Sequence, residues 1–177
     1  NRETQDSGII YSCARDWTKR GNVVRFNYLH DSGGYGRNSE KEPWQSPFYT
    51  WGIYLDDWTS GTTVYGNIVE RTYYGGLSIH GGKDNIIENN IFVEGMREQI
   101  RFQAIPTNAP EIPEMIRKLN MSPFRKYPEM HPVIDPDKDA LMSGNKFRHN
   151  IVYSRDRNPV LYTILGQIDI PSTIIEE

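Results

Sequence analysis

The sequence predicts an all-β fold, a right-handed parallel β-helix built as a single-stranded solenoid with two loop excursions. Three observations predict it. Four segments repeat one short phrase, a β-branched or aromatic run around an Asn: Gly21–Leu29 with Asn27, Thr63–Val69 with Asn67, Asn85–Val93 with Asn90, and Gly144–Val152 with Asn150. A second phrase, Gly followed by alternating apolar residues, precedes the first three at Gly8, Gly52 and Gly76. The spacings are regular: 24 from Ile53 to Leu77, 23 from Leu77 to Ile100 and 23 from Asn67 to Asn90. Strand-sized units at such a period cannot bury their own apolar faces and must stack. Each period has room for two or three strands and none for a long helix. Leucine-lattice and hexapeptide patterns are absent, which leaves a parallel β-helix with coils about 4.8 Å apart.

Along the chain, Gly8–Cys13 reads as the first strand, with Cys13 a core residue at its end. The run at Asn27 follows. Residues 32–50 exceed the period by about twenty and are rich in Gly, Ser and Pro, so they form a loop excursion. The strand at Gly52 ends on Asp56-Asp57, and the Asn67 run completes that coil. Gly76–His80 and the Asn90 run make the next coil, and Ile100–Gln103 starts another. Residues 105–142 form the second excursion, with seven of the eleven prolines and a short helix over 113–120 presenting Met115, Ile116 and Leu119 on one face. Phe124, Tyr127, Met130 and Val133 are expected to order the rest. The final coil resumes at Ser143. Residues 1–177 read as one β-helix domain, an excerpt of a longer solenoid. Buried Asn at equivalent bends is expected to stack and satisfy neighbouring amides.

Composition narrows the function classes. A net charge of −3 with mixed signs gives no nucleic-acid footprint. No transmembrane run is present, and a single cysteine excludes an internal disulfide. Asn120-Met-Ser122 matches a glycosylation acceptor pattern. The four histidines show no metal-ligand spacing.

The expected register collects polar groups on one outer face. Aligning the Gly-led strands places Ile9, Ile53, Leu77 and Ile100 in one inward column, and Tyr11, Leu55, Ile79 and Phe102 in the next. Side chains alternate along a strand, so Ile10, Tyr54, Ser78 and Arg101 form one outward column. Ser12, Asp56, His80 and Gln103 form the other. Asp56 and His80 become neighbours on adjacent coils. Glycoside hydrolysis commonly uses two carboxyl groups, so Asp56, Asp57 and Asp31 are candidate catalytic acids, with His80 tuning Asp56. Tyr54, Trp44 and Trp58 offer rings for sugar stacking. Arg101, Arg15 and Gln103 are candidate substrate contacts. The plainer reading stands beside this one: Asp56-Asp57-Trp58-Thr-Ser-Gly61 and His80-Gly-Gly82 are also good turn sequences. For a lyase, Asp31, Asp56 and Asp57 are the candidate ligands of a calcium ion; otherwise no cofactor is expected.

Ile10–Trp17, Arg20–Asp31, Gly52–Asp57, Gly66-Asn67, Gly81–Phe92 and Tyr127-Pro-Glu129 resemble bacterial right-handed parallel β-helix proteins of the pectate-lyase-like superfamily. The resemblance implies a secreted, periplasmic or cell-surface protein active on a polysaccharide. The order Asp-Asp, then His-Gly, then Arg on successive coils is similar to that of polygalacturonases. Hydrolysis of a polysaccharide is the favoured expectation. Calcium-assisted elimination by a lyase and a non-catalytic glycan-binding or surface structural role are the alternatives.

Overall fold

The computed structural model describes residues 3–121, 140–169 and 172–176. Three parallel sheets run through it. The first contains β1 (Ser7–Cys13), β4 (Thr50–Asp56), β7 (Gly75–His80), β10 (Ile100–Gln103) and β13 (Tyr162–Leu165) in that spatial order. The second contains β2 (Val23–Arg25), β5 (Thr63–Tyr65), β8 (Ile86–Glu88), β11 (Lys146–Arg148) and β14 (Ile174–Glu176). The third contains β3 (Tyr28–Ser32), β6 (Ile68–Thr72), β9 (Ile91–Val93) and β12 (Ile151–Tyr153). The one helix among the described residues is α1 (Ile112–Leu119). Each passage of the chain adds a strand to successive sheets, an all-β arrangement consistent with a parallel β-solenoid.

Alternation fills the space between the sheets. Ile53, Leu77 and Ile100 pair in register as expected, as do Leu55, Ile79 and Phe102 one step along for β4, β7 and β10. These residues join Val64, Ile87 and Phe147 from the second sheet and Leu29, Val69 and Phe92 from the third in one buried cluster. Gly52 is required where the chain passes closest, because a Cβ there would lie 2.2 Å from Val69 Cγ1 and 2.6 Å from the Gly76 carbonyl oxygen.

The expected register of the first coil is off by one residue. Ile10, not Ile9, pairs with Ile53, and Cys13 pairs with Asp56. Gly8 therefore aligns with Trp51 rather than with Gly52. The physical reason is the phenol of Tyr11. The Gly-led alignment would bury it among apolar side chains, whereas the observed register turns it outward to donate to Asp56 Oδ2 at 2.7 Å.

The bends are where the polar repeat acts. Phe26, Gly66, Asn89 and His149 all have positive φ, between 53° and 64°, immediately before the repeated asparagines. The left-handed conformation is costly for three of these four residues, and the Asn ladder offsets that cost. Asn27 Nδ2 donates to Asn67 Oδ1, Asn67 Nδ2 to Asn90 Oδ1 and Asn90 Nδ2 to Asn150 Oδ1, at 2.9, 2.9 and 3.0 Å. The expected stacking of Asn67 on Asn90 is thus part of a four-member column. A second ladder, absent from the sequence reading, links Asn85 to Asn145 at 3.0 Å, and Asn85 Oδ1 also accepts the Thr62 backbone N–H.

The two excursions leave opposite ends of the first sheet's strands. The loop before β4 folds against the segment leading into β1: Tyr35 N–H donates to Thr4 O, and Asp6 N–H to Tyr49 O at 2.8 Å. The described part of the second excursion carries α1, one residue earlier than expected. Ile112, Met115 and Leu119 bury against Trp17 and Trp58, and Lys118 pairs with Asp16 at 3.0 Å. Met115→Ala is expected to cost about 2–5 kcal/mol of stability, the usual range for emptying a buried Met site. Chemical denaturation followed by tryptophan fluorescence checks it, since Trp17 and Trp58 lie in the same cluster. The aromatic part of the second excursion, Phe124 to Val133, together with Tyr127-Pro-Glu129, His131 and Ser122 of the glycosylation pattern, lies outside the described residues.

Candidate active site

β4 and β7 end side by side, and their last residues meet. His80 Nδ1 lies 2.9 Å from Asp56 Oδ1 and 3.5 Å from Asp57 Oδ1. Asp56 Oδ1 also accepts the Asp57 backbone N–H at 2.8 Å, while Oδ2 accepts the Tyr11 phenol. Both carboxylate oxygens are therefore engaged. Burial drives the Asp56 pKa upward, but the bonds from His80, Tyr11, the Asp57 backbone and Tyr54 outweigh it and hold the carboxyl below its ordinary value. An ionised Asp56 fixes the His80 proton on Nδ1, leaving Nε2 as the basic nitrogen. Gln103 Nε2 is 3.5 Å from it, and Arg101 Nη1 lies 3.5 Å from Gln103 Oε1.

Asp56 is not on an open face, as the alternation rule implied. It is 5% exposed, and every residue of β4 is buried. The cover comes from neighbouring coils. Tyr11 crosses Tyr54 edge-on with ring centroids 5.4 Å apart, and Tyr49 and Tyr74 pack around Trp51. Tyr54 is thereby buried and presents no free ring to a sugar. Its phenol is pushed well above the usual range, by burial first and then by the charges of Tyr49 and Asp56. Removing the Asp56 side chain would take the acceptor from the Tyr11 phenol, the Asp57 backbone N–H and His80.

The other candidates divide. Asp57 joins the site: its Oδ2 accepts from Arg15 Nε at 3.1 Å and from the Cys13 thiol at 3.5 Å. Arg101 lies over the rings of Trp51 and Tyr74, 5.0 and 5.1 Å from their centroids, and pairs with Glu98. Trp58 is 5% exposed beneath α1 and cannot stack on a ligand. Trp44 is 51% exposed and stacks on Tyr35. Asp31 does not join Asp56. It sits at the end of β3 with φ 55°, at the bend before the loop, and its carboxylate is engaged by Arg71 and His30. Those partners, the Arg71 guanidinium first, hold it far below the usual carboxylate range.

Asp31 therefore supplies no ligand to a cation at Asp56. Cys13, Asp56 and Asp57 place one ligand atom each within 4.8 Å of one another. A thiol in that set is a poor match for calcium, which takes oxygen ligands.

Asp6 is the carboxyl the sequence reading missed. It belongs to the segment before β1, has φ 47° and is anchored at Tyr49. Its pKa is raised by partial burial and by the negative charges of Asp56 and Asp57, against an opposing pull from His80. One neighbourhood thus contains two carboxyls displaced in opposite directions. Nothing before Gly8 repeats, so periodicity had no means of placing Asp6.

Compared with known protein families, curated proteins and solved structures, the chain matches none. No helix among the described residues is long and apolar enough to cross a membrane.

Proposed function

We propose that this protein is a right-handed parallel β-helix of the pectate-lyase-like kind that hydrolyses glycosidic bonds in a polysaccharide, in a secreted, periplasmic or cell-surface setting. The observation that carries the reading is the contact of His80 Nδ1 with the buried Asp56 carboxylate at 2.9 Å, with Asp57 3.5 Å from the same nitrogen, where β4 and β7 end side by side. The displacement of Asp6 and Asp56 in opposite directions supports it, since environments that push two carboxyls apart separate acid from base roles. Asp6, held protonated to higher pH, donates to the leaving glycosidic oxygen. His80 Nε2, oriented by Asp56, takes a proton from the attacking water. Asp57, 3.5 Å from Nδ1, stabilises the imidazolium that forms. Asp56 then acts through His80 rather than on the sugar.

Elimination is the second reading, favoured by the same basic Nε2, which suits a base removing a proton beside a carboxylate. The test is a polysaccharide panel read by reducing ends and by absorbance of unsaturated products. Hydrolysis predicts new reducing ends without unsaturation, lost in His80→Ala. Unsaturated products would favour the lyase. Glycan binding that persists without any product, unchanged in Asp56→Asn, would reduce the protein to a binding module.

A further inference from the structure

The third sheet carries an apolar column on its outer face. Tyr28, Ile68, Ile91 and Ile151 pair in register across four coils. Their neighbours Leu29, Val69, Phe92 and Val152 pack into the core, so this column points outward. Two places along each strand, His30, Glu70, Val93 and Tyr153 form a second outward column. Phe26, at the bend before β3, extends the apolar surface. Phe26, Tyr28, Ile68, Ile151 and Tyr153 are between 41% and 70% exposed. Single apolar side chains on a surface are ordinary; an aligned column of them is not. At roughly 150–250 Å² for a whole aromatic side chain, and less for isoleucine, they expose on the order of 500 Å² on one face. That lies at the upper end of the largest patch a monomer usually shows, about 300–600 Å².

A charged row borders the columns at the bend that ends these strands. Asp31, Arg71 and Glu94 occupy equivalent positions there, with φ 55°, 49° and 58°. Arg155 follows in the last coil, its Nε 3.3 Å from Glu94 Oε1. Along the solenoid axis the signs therefore alternate, negative, positive, negative, positive. Arg71 Nε holds Asp31 at 2.7 Å, and Arg71 also pairs with Glu70 Oε1. Glu70 Oε2 accepts the Tyr28 phenol at 2.6 Å. The charge nearest the apolar column is thus doubly partnered, which lowers the cost of covering it.

Two such faces match each other under one symmetry. A two-fold axis between them, parallel to the strands, keeps each column over itself and reverses the order of the coils. Tyr28 then meets the partner's Ile151, and Ile68 meets the partner's Ile91. Arg71 meets the partner's Glu94, and Asp31 the partner's Arg155. An alternating row of charges, reversed, is its own complement. The other axis in that plane, perpendicular to the strands, would set the charged row against the apolar column. We infer that this face joins two copies of the chain in a two-fold dimer. With the charged row included, it approaches the roughly 800 Å² per partner of a standard interface. β4 and β7 belong to the first sheet, so the pairing uses no residue of the candidate active site.

Sedimentation velocity of the intact protein over a range of concentrations tests it. A monomer–dimer equilibrium is expected. Ile68→Lys enters the dimer twice and should weaken it about 100-fold, about tenfold for each lost apolar contact. Arg71→Glu alone and Glu94→Arg alone should each be monomeric, because like charges then face one another. Mixed in equal amounts, these two variants should associate, since every altered charge meets its opposite on the other chain. Arg148→Glu, on the second sheet, is the control and should dimerise as the parent does. Circular dichroism confirms that each variant is folded. A parent protein that stays monomeric at every concentration overturns the inference. So does a dimer that Ile68→Lys leaves untouched, or a mixture of the two charge variants that stays monomeric.

Discussion

Asn90→Ala is expected to lower the unfolding free energy by about 3–4 kcal/mol, since each buried group left without a partner costs about 1–3 kcal/mol. Asn90 is 1% exposed and sits inside the ladder. Its Oδ1 accepts both the backbone N–H and the side-chain amide of Asn67 at 2.9 Å. Its Nδ2 donates to Val64 O and Glu88 O at 2.9 and 3.0 Å. Alanine removes all of these partners at once. Asn27→Ala, at the half-exposed end of the column, should cost less than about 1 kcal/mol because solvent can replace what is lost. Chemical denaturation of the two variants checks the contrast. Equal small losses would mean that the ladder decorates the bend without stabilising it.

The second large effect is on turnover. Asp56→Asn is expected to reduce it about 10²–10⁴-fold, the usual contribution of positioned acid–base catalysis. Asn offers its carbonyl to His80 but no charge to hold the proton on Nδ1. The tautomer and the basicity of Nε2 both suffer. With its carbonyl at the Oδ1 position, Asn keeps an acceptor for His80 and the Asp57 N–H, while its amide nitrogen can donate to the Tyr11 phenol oxygen, so the fold is expected to persist. Asp56→Ala would confound the result by exposing those donors to a buried void. The pH dependence separates positioning from a purely structural role. A residue that tunes His80 should shift the limb of the rate profile that reports deprotonation of the His80 base, whereas a structural residue should lower the rate at every pH alike.

Sequence periodicity reached far into this molecule where coils are regular. The spacing of 24 between Asp56 and His80 equals one coil, and the two side chains meet at 2.9 Å. The spacing of 23 between Asn67 and Asn90 gave the ladder. The same logic extends to the second ladder, since Asn85 and Asn145 are separated by 60 residues, as are Asn90 and Asn150. Periodicity failed where packing is not periodic. Trp58 is buried because α1, contributed by a distant excursion, lies over it with Trp17. Asp31 is a bend residue tied to Arg71 on the next coil, a role its neighbours in sequence do not announce. Outward-facing Asp56 and Tyr54 are covered by aromatic residues from other coils, which alternation along one strand cannot register.

The central claim is that Asp56 and His80 act as one catalytic unit on a glycosidic bond. A double-mutant cycle on turnover of a cleaved polysaccharide, using Asp56→Asn, His80→Gln and the double variant, tests it most directly. If Asp56 works only through His80, the double variant should be about as slow as His80→Gln alone, so the two losses should not add. Fully additive losses, or an Asp56→Asn variant with unchanged turnover and pH profile, would contradict the account.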